Sequence, residues 1–572
     1  TVLRRPDGRK IRILHGKNVA LHADGVRFGN GILEGAHGGG LYLENSTLSM
    51  TNCQIRECQV NNTSGGRGAA IYLTKGSLEL YDCFIQSNRV VCSSSGWGSY
   101  GACIVVESGV TTTVTRCTFD RNWGHGIYRV MAGGAIRVNG GIADISSSRF
   151  TTNYITLNRS YGDERAYGVG VYAEGTKALR VSDCEFFGNL AHGIHAYGVI
   201  TLNAGGYEGV VERCVIVATN CGTVATAPRP IAYAANATDF FAGLGVMAGT
   251  LVVSNTLIAA DTTRPLVKLT GGAAKLTRCT LADGAGYTAY LSGGDLMLSR
   301  CIAADCPSGY CQIDGGTFDA EYSCLPSLDG VTGPGNTTNA PLLSTNGYYH
   351  AMSRAGYYDD GFFDGGAWRY DATGTSPSID MAPADDPYAL ELQPNGHQAN
   401  VGYDAGLPVA SRSDLGEPPV ASALAVYAYP PVDIGSATAV SRGEVGGPEG
   451  TETSAEVTVV WGPTDAGTGS PDDWANQRAL GTKTAWNLFP ETIANAGSNT
   501  YYRFHAMNED GSAWSDPVVS YRSARLPAVA EAPVTHITRH EATVHWTLAD
   551  DGESEATASV LYWTDGGTAT ST

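Results

Sequence analysis

A single six-residue phrase recurs nine times between Met50 and Ala303 and leaves few folds open to this chain. It reads apolar, two polar, a small residue, any residue, apolar. The first copy is Met50-Thr-Asn-Cys53-Gln-Ile55. The others run Leu80 to Ile85, Val114 to Phe119, Ile145 to Phe150, Val181 to Phe186, Val211 to Ile216, Val253 to Ile258, Leu276 to Leu281 and Leu298 to Ala303. The small slot is held by Cys53, Cys83, Cys117, Ser148, Cys184, Cys214, Thr256, Cys279 and Cys301, at steps of 30, 34, 31, 36, 30, 42, 23 and 22 residues. Repeats of this length belong to solenoids, propellers or arrays. The slot and the apolar residue after it are two apart, as on one face of a strand, but the apolar residue before it is three away. The alternation therefore breaks at the two polar residues, which marks a corner between short strands. Asn88, Asn122, Asn153, Asn189 and Asp261, each three residues past the last apolar position, mark a second corner with stacked polar side chains.

A glycine-rich phrase alternates with the first: Gly39-Gly-Leu-Tyr-Leu43, Gly68-Ala-Ala-Ile-Tyr-Leu73, Gly101-Ala-Cys-Ile-Val-Val106, Gly133-Gly-Ala-Ile-Arg-Val138 and Gly168-Val-Gly-Val-Tyr-Ala173. Small residues allow a tight turn before a strand. Several short strands per repeat, with late repeats of only 22 and 23 residues, predict an all-β fold, a right-handed parallel β-helix. A kelch-type propeller also uses double glycines, but its blades need roughly 50 residues. Nine coils at about 4.8 Å predict a rod on the order of 40 Å long.

The composition agrees with a turn-rich β protein: 73 of 572 residues are Gly and 16% are charged, against a usual charged share of about a quarter. A net charge of −19 excludes a nucleic-acid partner and an anionic membrane surface, both of which require basic patches. No apolar run of transmembrane length occurs. The chain starts at Thr1 without a leader and its first coil shows no amphipathic cap, which fits a processed or partial form of a secreted or cell-surface protein. Fourteen cysteines would ordinarily suggest a disulfide framework. Replacement of the slot by Ser148 and Thr256 instead predicts a stack of small, buried, free thiols. Cys306 and Cys311 remain the expected disulfide.

After residue 345 the character changes. Ser376-Pro-Ser-Ile-Asp380, Asp386-Pro387, Pro394-Asn-Gly396, Asn400, Gly402 and Tyr403 follow in order. This series resembles the closing segment of bacterial secreted β-helix proteins, and the preceding repeats resemble those of polymorphic outer-membrane proteins and related adhesins. Together the resemblance covers about residues 1–413. It departs at Met381-Ala382 and at Asp404, where the family usually carries Ala-Gly and Gly. Past a Pro- and Ser-containing linker, Ala455 to Trp461 alternates as an antiparallel strand. Thr500 to Asn508 with the hairpin before Trp514 resembles strand F and the F–G turn of a fibronectin type III domain, with Trp461 in its core. Ala542 to Trp546 and Ser559 to Trp563 restart the pattern. The expected organisation is a β-helix over 1–345, its closing segment over 346–414, a fibronectin type III-like domain over 415–526 and part of a second over 527–572, a half sandwich that would need more chain or a partner to bury its face.

Candidate chemistry is sparse. Asp380, Asp385 and Asp386 offer oxygen ligands suited to Ca²⁺; no other cofactor is implied. Paired acids at Asp359-Asp360, Asp385-Asp386 and Asp550-Asp551 read as solvated loop residues. Gly124-His125-Gly126 is similar to an element of β-helix polygalacturonases, but the accompanying acids and Arg-x-Lys are missing, so His125, like His192 and His195, reads as a turn residue. Arg116, Arg213, Arg278 and Arg300 recur at one corner and read as a solvent-facing ladder. Trp97, Tyr100, Trp123, Tyr128, Tyr154 and Tyr161 could stack on sugars. The expected function is structural or adhesive, at the cell surface or in an extracellular fibre, through self-association or neighbouring surface proteins. The alternatives are a polysaccharide lyase or hydrolase and a non-catalytic carbohydrate-binding protein.

Overall fold

A computed structural model describes residues 1–523 apart from 7–8, 63–64, 93–102, 127–129, 158–164, 193–194, 219–242, 263–264, 285–286, 305–310, 360–365, 370–371, 393–394, 397, 415–423, 433–436, 448–452, 486–487, 498, 510 and 517. Beyond 523 it describes the backbone of 528–531, 546–550, 561–562 and 570–571. The chain divides into two compact units, Thr1–Asp414 and Leu415–Thr572.

The first unit is a parallel β-helix. One face is a sheet of eleven parallel strands, among them Gln54–Arg56, Phe84–Gln86, Thr118–Asp120, Arg149–Thr151 and Glu185–Phe187. A second face stacks paired segments such as Leu41–Glu44 and Ser46–Thr51. From Ile200–Glu212 onward these merge into single long strands, Leu244–Ser254, Val267–Thr277, Ala289–Ser299 and Cys311–Glu321. A third face, from Ile32–Glu34 to Leu190–His192, has six strands. Side chains stack in register from coil to coil: Phe28, Ile55, Ile85, Phe119, Phe150, Phe186 and Ile216 form one buried column. Phe150 stacks on Phe119 at 4.7 Å and on Phe186 at 4.5 Å. Burying each such ring stabilises the coil by about 2 to 3 kcal/mol.

The corner at the repeat phrase has a specific backbone cause. The residue before each slot is left-handed: Asn52, Asp82, Arg116, Ser147, Asp183, Arg213, Asn255, Arg278 and Arg300 all have φ between 45° and 58°. The slot side chain then does more than fill space. Its Sγ or Oγ donates to the carbonyl two residues back, as in Cys184 to Ser182 (3.1 Å) and Ser148 to Ser146 (2.7 Å). It also accepts the N–H of the slot in the preceding coil, as Ser148 Oγ does from Cys117 (3.0 Å) and Cys184 Sγ from Ser148 (3.4 Å). The slot therefore selects Cys, Ser or Thr because each carries a donor and an acceptor on the γ atom, and the small-residue reading missed this. All nine slots are buried and the seven slot cysteines are free thiols. Ser148→Ala is expected to destabilise by about 1 to 2 kcal/mol, since it orphans the buried Cys117 N–H, while Ser148→Cys stays near wild type. Thermal unfolding of the two variants checks this.

The second corner is a stack of buried asparagines. Asn88 Nδ2 donates to Asn122 Oδ1 (3.0 Å), Asn122 to Asn153 (2.9 Å) and Asn153 to Asn189 (2.9 Å). Asp261 lies inside the strand Leu257–Thr262, and its side chain is outside the described residues. Two further corrections concern the ends of the repeat. Residues 306–345, which looked irregular, hold another long strand, Cys311–Glu321, and a slot at Ser323, whose Oγ accepts the Cys301 N–H at 3.0 Å. Near the start, Val26 occupies the slot position, and its N–H donates to Cys53 Sγ (3.4 Å). Cys311 carries a free thiol; its expected partner Cys306 lies outside the described residues.

The closing segment lies along the side of the late coils. In early coils the outward positions of the eleven-stranded face are largely polar, for example Gln54, Thr118 and Arg149. From Val215 they turn apolar, and Val215, Val217, Leu257, Ala259 and Ala282 pack beneath Tyr403, with Leu343, Tyr348 and Tyr349 beside it. The physical reason is plain: an apolar outer face needs a cover.

The two larger antiparallel sheets of the second unit lie between Ala425 and Arg522. Ala425–Val432, Thr438–Gly446 and Leu488–Ala494 form one; Asn476–Thr484, Ser454–Gly462 and Asn499–Asn508 form the other, with Gly511–Trp514 and Val519–Arg522 on the Asn499–Asn508 strand. They share a core in which Trp461, Phe489, Tyr502 and Phe504 are buried. Further along the chain, Ala528–Glu531 pairs with Trp546–Asp550; the side chains there lie outside the described residues.

Candidate functional site

Side chains of opposite charge converge where the closing segment meets the repeat. Arg278 and Arg300 occupy the left-handed corner position in consecutive coils. They do not face solvent as a ladder would. Asp386 Oδ2 accepts from Arg278 Nη2 (3.1 Å) and Arg300 Nε (2.5 Å). Burial opposes the charge on Asp386, but the two guanidiniums hold its carboxyl below the usual range. The earlier members of the series remain partly exposed and pair within the repeat, Arg116 with Asp82 and Arg213 with Asp183, each through two bonds of 2.7 Å.

The motif residues of the closing segment meet in one buried network. The Asp380 N–H donates to Asn400 Oδ1 (2.9 Å), Asn400 Nδ2 to the Ser411 carbonyl (2.6 Å) and Ser413 Oγ to Asp380 Oδ1 (2.6 Å). Glu391, which sequence reasoning passed over, is 3% exposed and accepts the N–H groups of Gly406 (2.6 Å) and Asn400 (3.1 Å). Burial pushes its carboxyl up to about 7 in spite of those donors. Burial also raises Asp380, against the bond from Ser413. Asp386 faces two arginines, and among the described residues no three His, Cys, Asp or Glu side chains converge as metal ligands. Asp386 is held by the two arginines, and the chemistry of this region is that of a latch.

The raised Glu391 gives the latch a pH signature. Below pH 4 the carboxyl is protonated in both the folded and the unfolded chain. Between about 4.5 and 7 the unfolded chain has released a proton that the folded chain keeps, so stability falls as pH rises, then levels off. The shift corresponds to a loss on the order of 3 kcal/mol. Urea midpoints at pH 5 and pH 8 should therefore differ more in the wild type than in Glu391→Gln; equal differences would contradict the burial effect.

Of the expected aromatic platform, the structure brings together Trp123 and Tyr154. They are register neighbours on the third face, with ring centroids 5.4 Å apart. Trp123 Nε1 donates to Thr156 Oγ1 (3.3 Å), and His125 Nδ1 lies 2.9 Å from the same hydroxyl. Tyr154 is only 6% exposed, so its ring packs against the solenoid instead of presenting a face. His125 lies in the strand Trp123–Gly126, not in a turn, and burial lowers its pKa. His192 and His195 likewise lie in the strands Leu190–His192 and His195–Tyr197. Trp97, Tyr100, Tyr128 and Tyr161 lie outside the described residues.

A second polar cluster went unseen in the sequence because its members come from different coils. Glu107 accepts from Arg67 Nη1 (2.6 Å), Asn139 Nδ2 (2.7 Å) and Tyr72 Oη (3.2 Å). Burial works against its charge, and the Asn139 amide with Arg67 and Arg137 more than offsets it, so its pKa is lowered. Arg137 in turn pairs with Glu174. Each pair joins neighbouring coils, where intermediate burial makes it stronger than a surface ion pair.

Residues 17–132 match the protein family described as right handed beta helix region. No curated protein and no solved structure matches the chain. The parallel sheets and this match together identify the solenoid as a right-handed parallel β-helix.

Proposed function

We propose that the chain is a secreted or cell-surface structural and adhesive protein. The observation that carries this reading is the use made of its charged side chains. Asp82, Asp183, Glu185, Glu107 and Glu174 each face an arginine of another coil, and Asp386 faces two. Carboxylates that a glycosidase would hold ready as acid and base here tie coil to coil. The second unit fits a spacer of fibronectin type III kind: strands one, two and five in one sheet, and four, three, six and seven in the other. Protease shaving of intact source cells should remove the protein, and polysaccharide digests should show no new reducing or unsaturated ends. Detection only inside the cell, or release of such ends, would replace this reading with an intracellular scaffold or with an enzyme.

A further inference from the structure

The long strands of the late coils each bend at a glycine: Gly206, Gly249, Gly272 and Gly294 have φ of 81°, 89°, 73° and 87°. The register of the ladder shifts near this bend in three pairs of coils, and in the fourth the pairing is interrupted between Val246 and Thr250. Successive coils thus lack a side chain at one position, and the gap forms an open groove of about 570 Å³. Gly206, Gly249 and Gly272 floor it. Tyr207, Glu208, Thr250 and Asp295 wall it. Tyr207 is 43% exposed. Glu208, Thr250, Ala273 and Asp295 fall on one register line, so the two carboxylates are three coils apart, on the order of 14 Å.

The lining narrows the ligand. Among the described residues it has no basic side chain, so phosphate, uronate and nucleic-acid chains are repelled. Its one large apolar surface among the described residues is the Tyr207 ring, too little for a lipid or an amphipathic helix. Both strand segments beside the groove are already paired to the coils above and below, so no free edge is offered to an extended peptide. What remains favourable is a chain rich in uncharged hydroxyl groups. Hydroxyls donate well to carboxylates, and the Tyr207 ring offers an exposed face with a polar tip. We propose that the glycine bend of the late coils is a binding groove for a neutral oligosaccharide, with Tyr207 as the stacking residue and Glu208 and Asp295 as hydroxyl acceptors. This goes beyond the scaffold reading and is separate from the Trp123 and Tyr154 patch.

Calorimetric titration of the full chain tests it with neutral hexasaccharides of the β-glucan, xylan, mannan and α-glucan types, beside oligogalacturonate and octalysine. One neutral series should bind. Tyr207→Ala should weaken that binding about tenfold, Tyr207→Phe should retain it, and Glu208→Gln with Asp295→Asn should weaken it. Oligogalacturonate should not bind. These side chains are exposed, so the variants keep the fold, which unfolding midpoints verify. The proposal is overturned if no neutral hexasaccharide binds, if binding ignores Tyr207→Ala, or if octalysine or oligogalacturonate binds in preference. Any of those results leaves the structural reading intact, because that rests on the cross-coil pairs.

Discussion

Asn122→Ala is expected to destabilise the β-helix by about 4 kcal/mol, the sum of four lost hydrogen bonds at about 1 kcal/mol each. The Asn122 side chain donates to the Ile85 carbonyl and to Asn153 Oδ1, both at 2.9 Å, and accepts from the Asn88 N–H (3.1 Å) and Asn88 Nδ2 (3.0 Å). Asn122 itself is fully buried, so water cannot replace what is lost. Alanine keeps the backbone but takes a partner from the Ile85 carbonyl and from the Asn88 amide and backbone N–H in the preceding coil, and from Asn153 Oδ1 in the next. Urea unfolding should show the lower midpoint, and amide exchange at Asn88 should quicken. A loss below about 1 kcal/mol would mean that the stack contributes shape and not hydrogen bonding.

The second large effect is expected at the glycine bend. Gly294→Val should destabilise by about 3 to 5 kcal/mol, combining left-handed backbone strain with overpacking. A Cβ at Gly294 would stand 2.5 Å from the Gly272 carbonyl oxygen and 2.9 Å from the Gly271 carbonyl carbon. Those are backbone atoms of the adjacent coil, fixed between the paired residues Thr270 and Ala273, so they have little room to move aside. Gly175→Ala separates the two contributions. Gly175 has φ of 57°, and nothing lies within 4 Å of its added Cβ. It should lose only the conformational part, about 1 to 2 kcal/mol. Equal losses at the two sites would show that crowding between coils is unimportant.

Both effects bear on how much could be read before any coordinates. The phrase around the slot announced the first corner, because an odd spacing inside an even alternation has no other meaning in a strand. The asparagines announced the second. The same phrase was present but disguised at Ala320-Glu-Tyr-Ser323-Cys-Leu325 and at Ala23-Asp-Gly-Val26-Arg-Phe28, where a Cys in the wrong place and a Val in the slot hid it. The glycine bend was equally visible as Gly271-Gly272, Gly293-Gly294 and Gly315-Gly316, at the 22-residue step of the late coils. Its meaning was not, since a double glycine serves many turns and only stacking of adjacent backbones makes these ones obligatory.

The chemistry of the closing segment was harder to foresee. The acids there invited a cation, and Asp386 instead meets Arg278 and Arg300, which lie 108 and 86 residues earlier in the chain. Nothing local distinguishes those arginines from Arg116 or Arg213, which pair with an acid of the preceding coil. What the sequence by itself determined is everything that repeats: the coils, their two corners, the slot and the asparagine stack. Each is set by residues within one coil and reinforced by the identical choice in the next. What only the tertiary structure decided is everything that happens once. The Asp386 clamp, the buried Glu391, the Glu107 cluster and the groove beside Tyr207 all join residues from separate coils or from the returning segment. Their partners are chosen by where the solenoid places them in space, and no periodicity in the chain carries that information.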